Sequence, residues 1–74
     1  MEWNEINELS KRATYFYKEK KKVHLQRNDM LFFNGVLLDV SEGEFLILDD
    51  RMVGEMVIFF TEIIKIEEFK DGRE

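Results

Sequence analysis

The sequence predicts a mainly β protein: a small, strongly bent, five-stranded antiparallel barrel with an N-terminal α-helix. Three observations indicate this fold. Apolar residues near the start recur at three- and four-residue spacing, as on one face of a helix. From residue 22 onwards the period changes to two, and five short apolar runs are separated by polar turns. A chain of 74 residues without cysteine forms one domain with a single small core and no disulfide.

The helix is predicted over residues 3–18. Its apolar stripe consists of Trp3, Ile6, Leu9, Ala13 and Phe16. Acidic residues lie near its start and lysines follow its end, and both signs of charge complement the helix dipole. We expect the apolar stripe to cover an open end of the sheet.

The strands are predicted over residues 22–26, 30–40, 44–49, 55–60 and 63–68, and residues 70–74 form a polar tail. Gly35 interrupts the second strand, where a glycine permits a bend or the close approach of another chain segment. Strict alternation places Phe32, Val36, Leu38 and Val40 on one face of this strand and Leu31, Phe33 and Leu37 on the other. Because a barrel has one interior, we expect the helix, a second copy of the chain, or both to cover the other apolar face.

Charge is distributed unevenly along the chain. The net charge is −5, which argues against non-specific coating of DNA. Residues 11–27 nevertheless contain seven basic groups and one acidic group, for a local charge of +6. This block is suited to phosphate contacts. The alternative is that its lysines only complement the dipole at the end of the helix.

Several function classes are not supported by the sequence. No catalytic arrangement of Ser, His and acidic residues and no glycine-rich phosphate loop is present, so we predict a protein that is not an enzyme and has no cofactor or small-molecule substrate. The acidic residues Asp49, Asp50 and Glu55 match no known cation-binding loop, and we predict no metal. Without a signal peptide or a membrane-length apolar run, we expect a cytoplasmic protein with no membrane partner.

Residues 35–48, GVLLDVSEGEFLIL, resemble the first motif of the Sm-like (LSm) protein family. The positions that fit the spacing of this motif without a gap are Gly35, Leu37, Val40, Leu46 and Leu48. Residues 54–58, followed by Ile63 and Ile66, are similar to the family's fourth and fifth strands. The resemblance covers residues 3–68 and implies a single Sm-like domain, in a divergent prokaryotic member of archaeal type.

The resemblance also implies self-assembly. Sm-like proteins form rings in which the fourth strand of one subunit pairs with the fifth strand of the next. On this chain the implied interface consists of Met56, Val57, Ile58, Phe59, Phe60, Ile64 and Ile66. We therefore predict a homo-oligomer, most simply a ring, whose first partner is a copy of itself.

The family further implies binding of single-stranded RNA without catalysis. The residues expected to contact phosphates or bases are Lys18, Lys20, Lys21, Lys22, Arg27, Ser41 and Phe45. Ser41 and Phe45 stand where the family has an acidic residue and an asparagine that hold a base, and Phe59-Phe60 replaces its Arg-Gly pair. These departures leave a second hypothesis open, a non-catalytic assembly or adaptor barrel that has lost the nucleotide pocket.

Overall fold

A computed structural model describes residues 3–70, with the side chain of Trp3 excepted. The elements are α1 (Trp3–Lys18), β1 (Lys22–Arg27), β2 (Phe32–Ser41), β3 (Phe45–Asp50), β4 (Gly54–Phe59), a 3-10 turn (Phe60–Glu62) and β5 (Ile63–Glu68). The predicted mainly β architecture, with an N-terminal helix and five antiparallel strands, is confirmed. The predicted polar tail falls at residues 70–74, of which 71–74 lie outside the described residues.

The five strands form one sheet in the order β4-β3-β2-β1-β5, and all neighbouring strands are antiparallel. Strands β4 and β5 are therefore the two edges of the sheet over residues 3–70. The sheet is not closed within this part of the chain, and the bent barrel remains a prediction.

Helix α1 packs on one face of the sheet, where it contacts β2, β5 and the 3-10 turn. Ile6, Ala13 and Phe16 of the predicted stripe are buried in the core, and Leu9 packs against it. Ser10 is also buried, and its Oγ accepts a hydrogen bond of 3.0 Å from the backbone N–H of Gly43, which fixes the helix to the β2–β3 turn. No helix in residues 3–70 is both long and apolar enough to cross a membrane.

The second strand differs from strict alternation at two places. The β2–β3 register shifts between Leu37 and Asp39, so that Leu38 is an extra, bulged residue. A bulge reverses the alternation beyond it, and Val40 therefore packs against the core rather than on the face of Phe32. The prediction for Leu31 is also wrong, because this residue belongs to the turn before β2 and is 50% exposed.

Gly35 lies where β2 and β3 come closest. A Cβ atom at this position would overlap the carbonyl oxygen of Asp49 and lie 2.8 Å from its carbonyl carbon. The close approach predicted as one alternative for this glycine is therefore observed, whereas the other alternative, a bend at Gly35, stays a prediction, since the β2–β3 register is regular here and shifts only at Leu38. The close approach at Gly35 brings the end of β3, and the loop that follows it, against the middle of β2.

Candidate nucleic-acid interface

The lysine-rich segment is the turn that carries the chain from α1 into the sheet. Lys20 has a left-handed backbone (φ 56°), and its N–H donates to the carbonyl of Tyr17 at 3.2 Å. The N–H of Lys21 donates to the carbonyl of Phe16 at 3.0 Å. These bonds end the helix by occupying its last carbonyl groups. The turn is therefore held by the backbone, which leaves the lysine side chains free for other contacts.

The four lysines of this segment are not equivalent. Lys18, Lys20 and Lys22 are exposed. The Nζ atom of Lys21 lies 3.9 Å from a carboxylate oxygen of Glu68, so its charge is partly matched within the chain. The structure thus brings Lys18, Lys20 and Lys22 to the surface, with no ion pair to any of them among residues 3–70.

These lysines border two adjoining clefts. The first, which we name the Lys22 cleft, has a volume of about 400 Å³. It is lined by Lys22, Asn34, Gly35, Val36, Asp49, Arg51 and Phe69. The second, which we name the Tyr17 cleft, has a volume of about 470 Å³. It is lined by Tyr17, Lys18, Lys20, Val36, Leu37 and Leu38. Because Val36 borders both clefts, they form one continuous surface.

The two clefts contain residues that sequence reasoning missed as site residues. Arg51 follows β3 by one position, and its N–H donates to the carbonyl of Asn34 at 3.0 Å. Phe69 follows β5 by one position, and its N–H donates to the carbonyl of Lys22 at 2.9 Å. Both residues are distant from the lysine run in sequence. Only the strand order and register, which place β3 and β5 on either side of β2 and β1, could have identified them.

Arg27 lies away from these clefts. It ends β1, five residues from Lys22, which corresponds to about 17 Å along a strand. Its Nη2 and Nε atoms donate to a carboxylate oxygen of Asp29 at 2.6 and 3.0 Å. This hydrogen bond raises the pKa of Arg27 and lowers the pKa of Asp29. The guanidinium carbon also lies 5.0 Å from the centroid of the Phe33 ring. Arg27 is therefore engaged within its own chain.

The two predicted base-binding residues lie at the β2–β3 turn, beyond the part of β2 that borders the clefts. Ser41 donates its hydroxyl to a carboxylate oxygen of Glu44 at 2.7 Å. Phe45 stands opposite Phe59 in the β3–β4 ladder, with the ring centroids 6.0 Å apart in edge-to-face contact. Ser41 is three residues from Leu38 of the Tyr17 cleft, or roughly 10 Å along the strand. The structure does not bring Ser41 or Phe45 to the lysines.

The residues predicted for the oligomer interface divide into two groups. Ile58, Phe60 and Ile66 are 0% exposed and belong to the core of their own chain, and Met56 packs against that core. The half-exposed members are Val57, Phe59 and Ile64. Only these three present substantial apolar side-chain surface to a second copy. Along β4, Val57 and Phe59 alternate with the inward Met56 and Ile58. In β5 the register with β1 shifts beside Ile64, which separates the exposed Ile64 from the buried Ile66.

Asp50 is the buried acidic residue beside the Lys22 cleft. Its carboxylate accepts hydrogen bonds from the backbone N–H groups of Asn34 (2.9 Å), Met52 (2.8 Å) and Val53 (2.9 Å). Burial is the largest single influence and raises the pKa of Asp50, but the three hydrogen bonds together outweigh it and lower the pKa. The carboxylate therefore holds the β3–β4 loop against β2.

Over residues 3–70, no three acidic or histidine side chains converge on a point where a metal ion could bind.

No protein-family model matches the sequence. No curated protein is significantly similar to it.

Proposed function

We propose that the protein is an Sm-like, non-catalytic RNA-binding protein that assembles as a homo-oligomer. The observation that carries the RNA-binding part is the surface formed by the two clefts. It combines four cations with two aromatic rings: Lys18, Lys20, Lys22, Arg51, Tyr17 and Phe69. Proteins bind single-stranded nucleic acid with this combination, because cations follow the phosphates while bases stack on aromatic side chains.

The negative net charge does not conflict with this proposal. Within residues 3–70, Asp49 is the one acidic residue that lines the two clefts. Charges further away than about 8–10 Å are largely screened at physiological ionic strength. Binding is therefore governed by the local surface, and it should be sensitive to salt because lysines contact phosphates as point charges.

The test is titration of the full chain with oligouridine and oligoadenine at several salt concentrations. We expect the triple variant Lys18→Gln, Lys20→Gln, Lys22→Gln to bind more weakly. We also expect the slope of log K against log salt to fall by about 2, since each single-strand phosphate contact contributes roughly 0.7. The control is Lys11→Gln, Lys65→Gln, which removes positive charge at positions that do not line either cleft. Absence of binding by the unaltered protein at about 50 mM salt would reject the proposal.

The assembly part of the proposal is supported by the position of β4 and β5 at the two edges of the sheet. An edge strand offers unpaired N–H and C=O groups to another strand. Exposed apolar side chains accompany both edges: Val57 and Phe59 on β4 and Ile64 on β5. A core of this size supplies only about 3–5 kcal/mol, so burial against neighbouring copies would add needed stability. Pairing of β4 with β5 of the next copy, with the sheet bent into an Sm-type barrel, satisfies both edges.

Substitution at the β4 edge tests this assembly. We expect the double variant Val57→Lys, Phe59→Lys to reduce the mass measured by light scattering to that of a 9.0 kDa monomer. The reason is that both side chains are about half exposed, so lysine is tolerated by the fold but not in an apolar contact. Tyr15→Lys, on the exposed side of α1, is the control and should keep the assembled mass. A monomeric unaltered protein at micromolar concentration would contradict this part of the proposal.

The adaptor hypothesis stays as a second candidate, because a specific observation favours it. Phe45, Ile47, Val57 and Phe59 form an outer apolar patch on β3 and β4, with Val57 51% and Phe59 52% exposed. Such a patch at the position of the family's base-binding residues fits a protein partner better than a base. The adaptor hypothesis predicts an assembled protein that binds neither oligonucleotide in the titrations described above.

A further inference from the structure

We infer that the Lys22 cleft is a pocket for one nucleotide unit, with the base against Phe69 and Val36 and the phosphate between Lys22 and Arg51. This inference rests on the RNA-binding function proposed above and names the ligand of one part of that surface. The single observation behind it is that two cations, an amide and an aromatic ring from four separate chain segments border the same cleft.

The walls of the cleft are held by backbone hydrogen bonds. Both backbone groups of Asn34 are occupied: its N–H donates to the Asp50 carboxylate at 2.9 Å, and its carbonyl accepts from Arg51 at 3.0 Å. The N–H of Phe69 donates to the carbonyl of Lys22 at 2.9 Å. The close approach of β2 and β3 at Gly35 fixes the remaining side. The cleft is therefore formed before any ligand binds, which lowers the ordering cost of binding.

The lining of the cleft is rich in hydrogen-bond donors. Lys22 and Arg51 have only donors. The Oδ1 atom of Asn34 is in hydrogen-bond contact with Nδ1 of His24, which leaves its NH₂ group to donate to a ligand. Asp49 supplies a carboxylate acceptor. The complementary ligand is an anion with many acceptors and at least one donor, and a nucleotide has both.

The apolar side of the lining distinguishes a nucleotide from a simple anion. Phe69 is partly buried, and Val36 is exposed on the outer face of β2. These two residues give the cleft a surface on which a flat ring can lie, and an aromatic side chain tolerates any base. The volume of about 400 Å³ is within the range of small-molecule sites. A phosphate alone would use the cations and leave this surface unoccupied.

The experiment is an NMR titration of the full chain with uridine monophosphate, adenosine monophosphate, uridine and inorganic phosphate. We expect both monophosphates to shift the signals of Asn34, Arg51 and Phe69. Their affinity should be at least about fivefold higher than that of inorganic phosphate, because this factor is the lower limit expected from base stacking. In Phe69→Leu the affinity for the monophosphates should fall to that for inorganic phosphate, and Arg51→Gln should bind both monophosphates more weakly. Lys11→Gln, which removes a cation on α1 away from the cleft, is the control and should change neither.

The outcomes separate this inference from the proposed function. If oligonucleotides bind while the monophosphates cause no shifts at the cleft, the RNA-binding proposal stands and the nucleotide pocket is rejected. Equal affinity for monophosphate and inorganic phosphate, or unchanged binding by Phe69→Leu, also overturns the pocket. If oligonucleotides do not bind, shifts from the monophosphates at the cleft would support the pocket independently. The dispersion of the amide signals shows whether each variant is folded.

Discussion

Replacing Gly35 with Ala is expected to remove most of the protein's stability and leave it only marginally folded at room temperature. The added Cβ atom would overlap the carbonyl oxygen of Asp49 and lie 3.0 Å from the Cα atom of Asp50. Both atoms belong to the backbone of a central strand, so neither can move without disturbing the β2–β3 ladder. We expect a loss of about 3 kcal/mol, the upper part of the range for overpacking. That loss is comparable with the total of about 3–5 kcal/mol available to a core of this size.

Urea denaturation followed by circular dichroism measures this loss. Gly54→Ala is the matched control, because it adds the same Cβ atom at a position with no neighbour within 4 Å. Gly54 has a left-handed backbone (φ 93°), so its substitution costs about 1–2 kcal/mol through strain alone. Equal losses for the two variants would mean that the contact between β2 and β3 at Gly35 does not limit the fold.

Replacing Asp50 with Ala is expected to destabilise the protein by about 3 kcal/mol at neutral pH, because three backbone N–H groups lose a charged acceptor. Asp50→Asn keeps one acceptor oxygen and should lose less. The free energy of unfolding at pH 7, from urea titration, checks both values. The matched control is Asp49→Asn, an exposed carboxylate one residue earlier, for which we expect a change within about 0.5 kcal/mol.

The contribution of Asp50 to the free energy of unfolding should also depend on pH and decrease in acid. Its pKa is lower in the folded chain than the value of about 3.9 for an unfolded chain. The stabilisation is therefore fully present above about pH 4 and is lost as the pH falls through the folded pKa. The difference in unfolding free energy between the unaltered protein and Asp50→Asn should shrink below pH 4. A constant difference from pH 7 to pH 3 would show that the carboxylate charge does not hold the loop.

Much of the fold follows from local patterns. The apolar stripe of α1 and the alternation in β1 are set by which residues face the core, and such patterns are visible in sequence. The bulge at Leu38 is not visible in the sequence. The second strand has apolar residues on both faces, so one extra residue does not change its apolar pattern. The prediction that Leu31 lies in the second strand is wrong because the turn before this strand is longer than the sequence indicates. The preceding Met30 adopts a left-handed backbone (φ 71°) and extends the turn, although methionine gives no indication of this.

The candidate site was less predictable than the fold. The lysine run was identified from charge alone, and three of its members do border the clefts. Arg51 and Phe69 were missed, because their proximity to Lys22 depends on the pairing of strands that are distant in sequence. Arg27 was included because of its charge, but its guanidinium is paired with Asp29 and lies at the opposite end of β1. Charge composition thus indicates a surface, whereas register determines which residues share it.

The difference between the two edge strands limits the symmetry that any assembly can have. A contact between β4 of one copy and β5 of the next uses unlike surfaces, so it is heterologous, in contrast to a β4–β4 or β5–β5 contact across a two-fold axis. Each added copy presents the same free edge again, and growth stops only if the rotation between neighbours closes a circle. A small change in that rotation would turn a closed circle into an open helical filament. Electron microscopy of the assembled protein would distinguish these two forms.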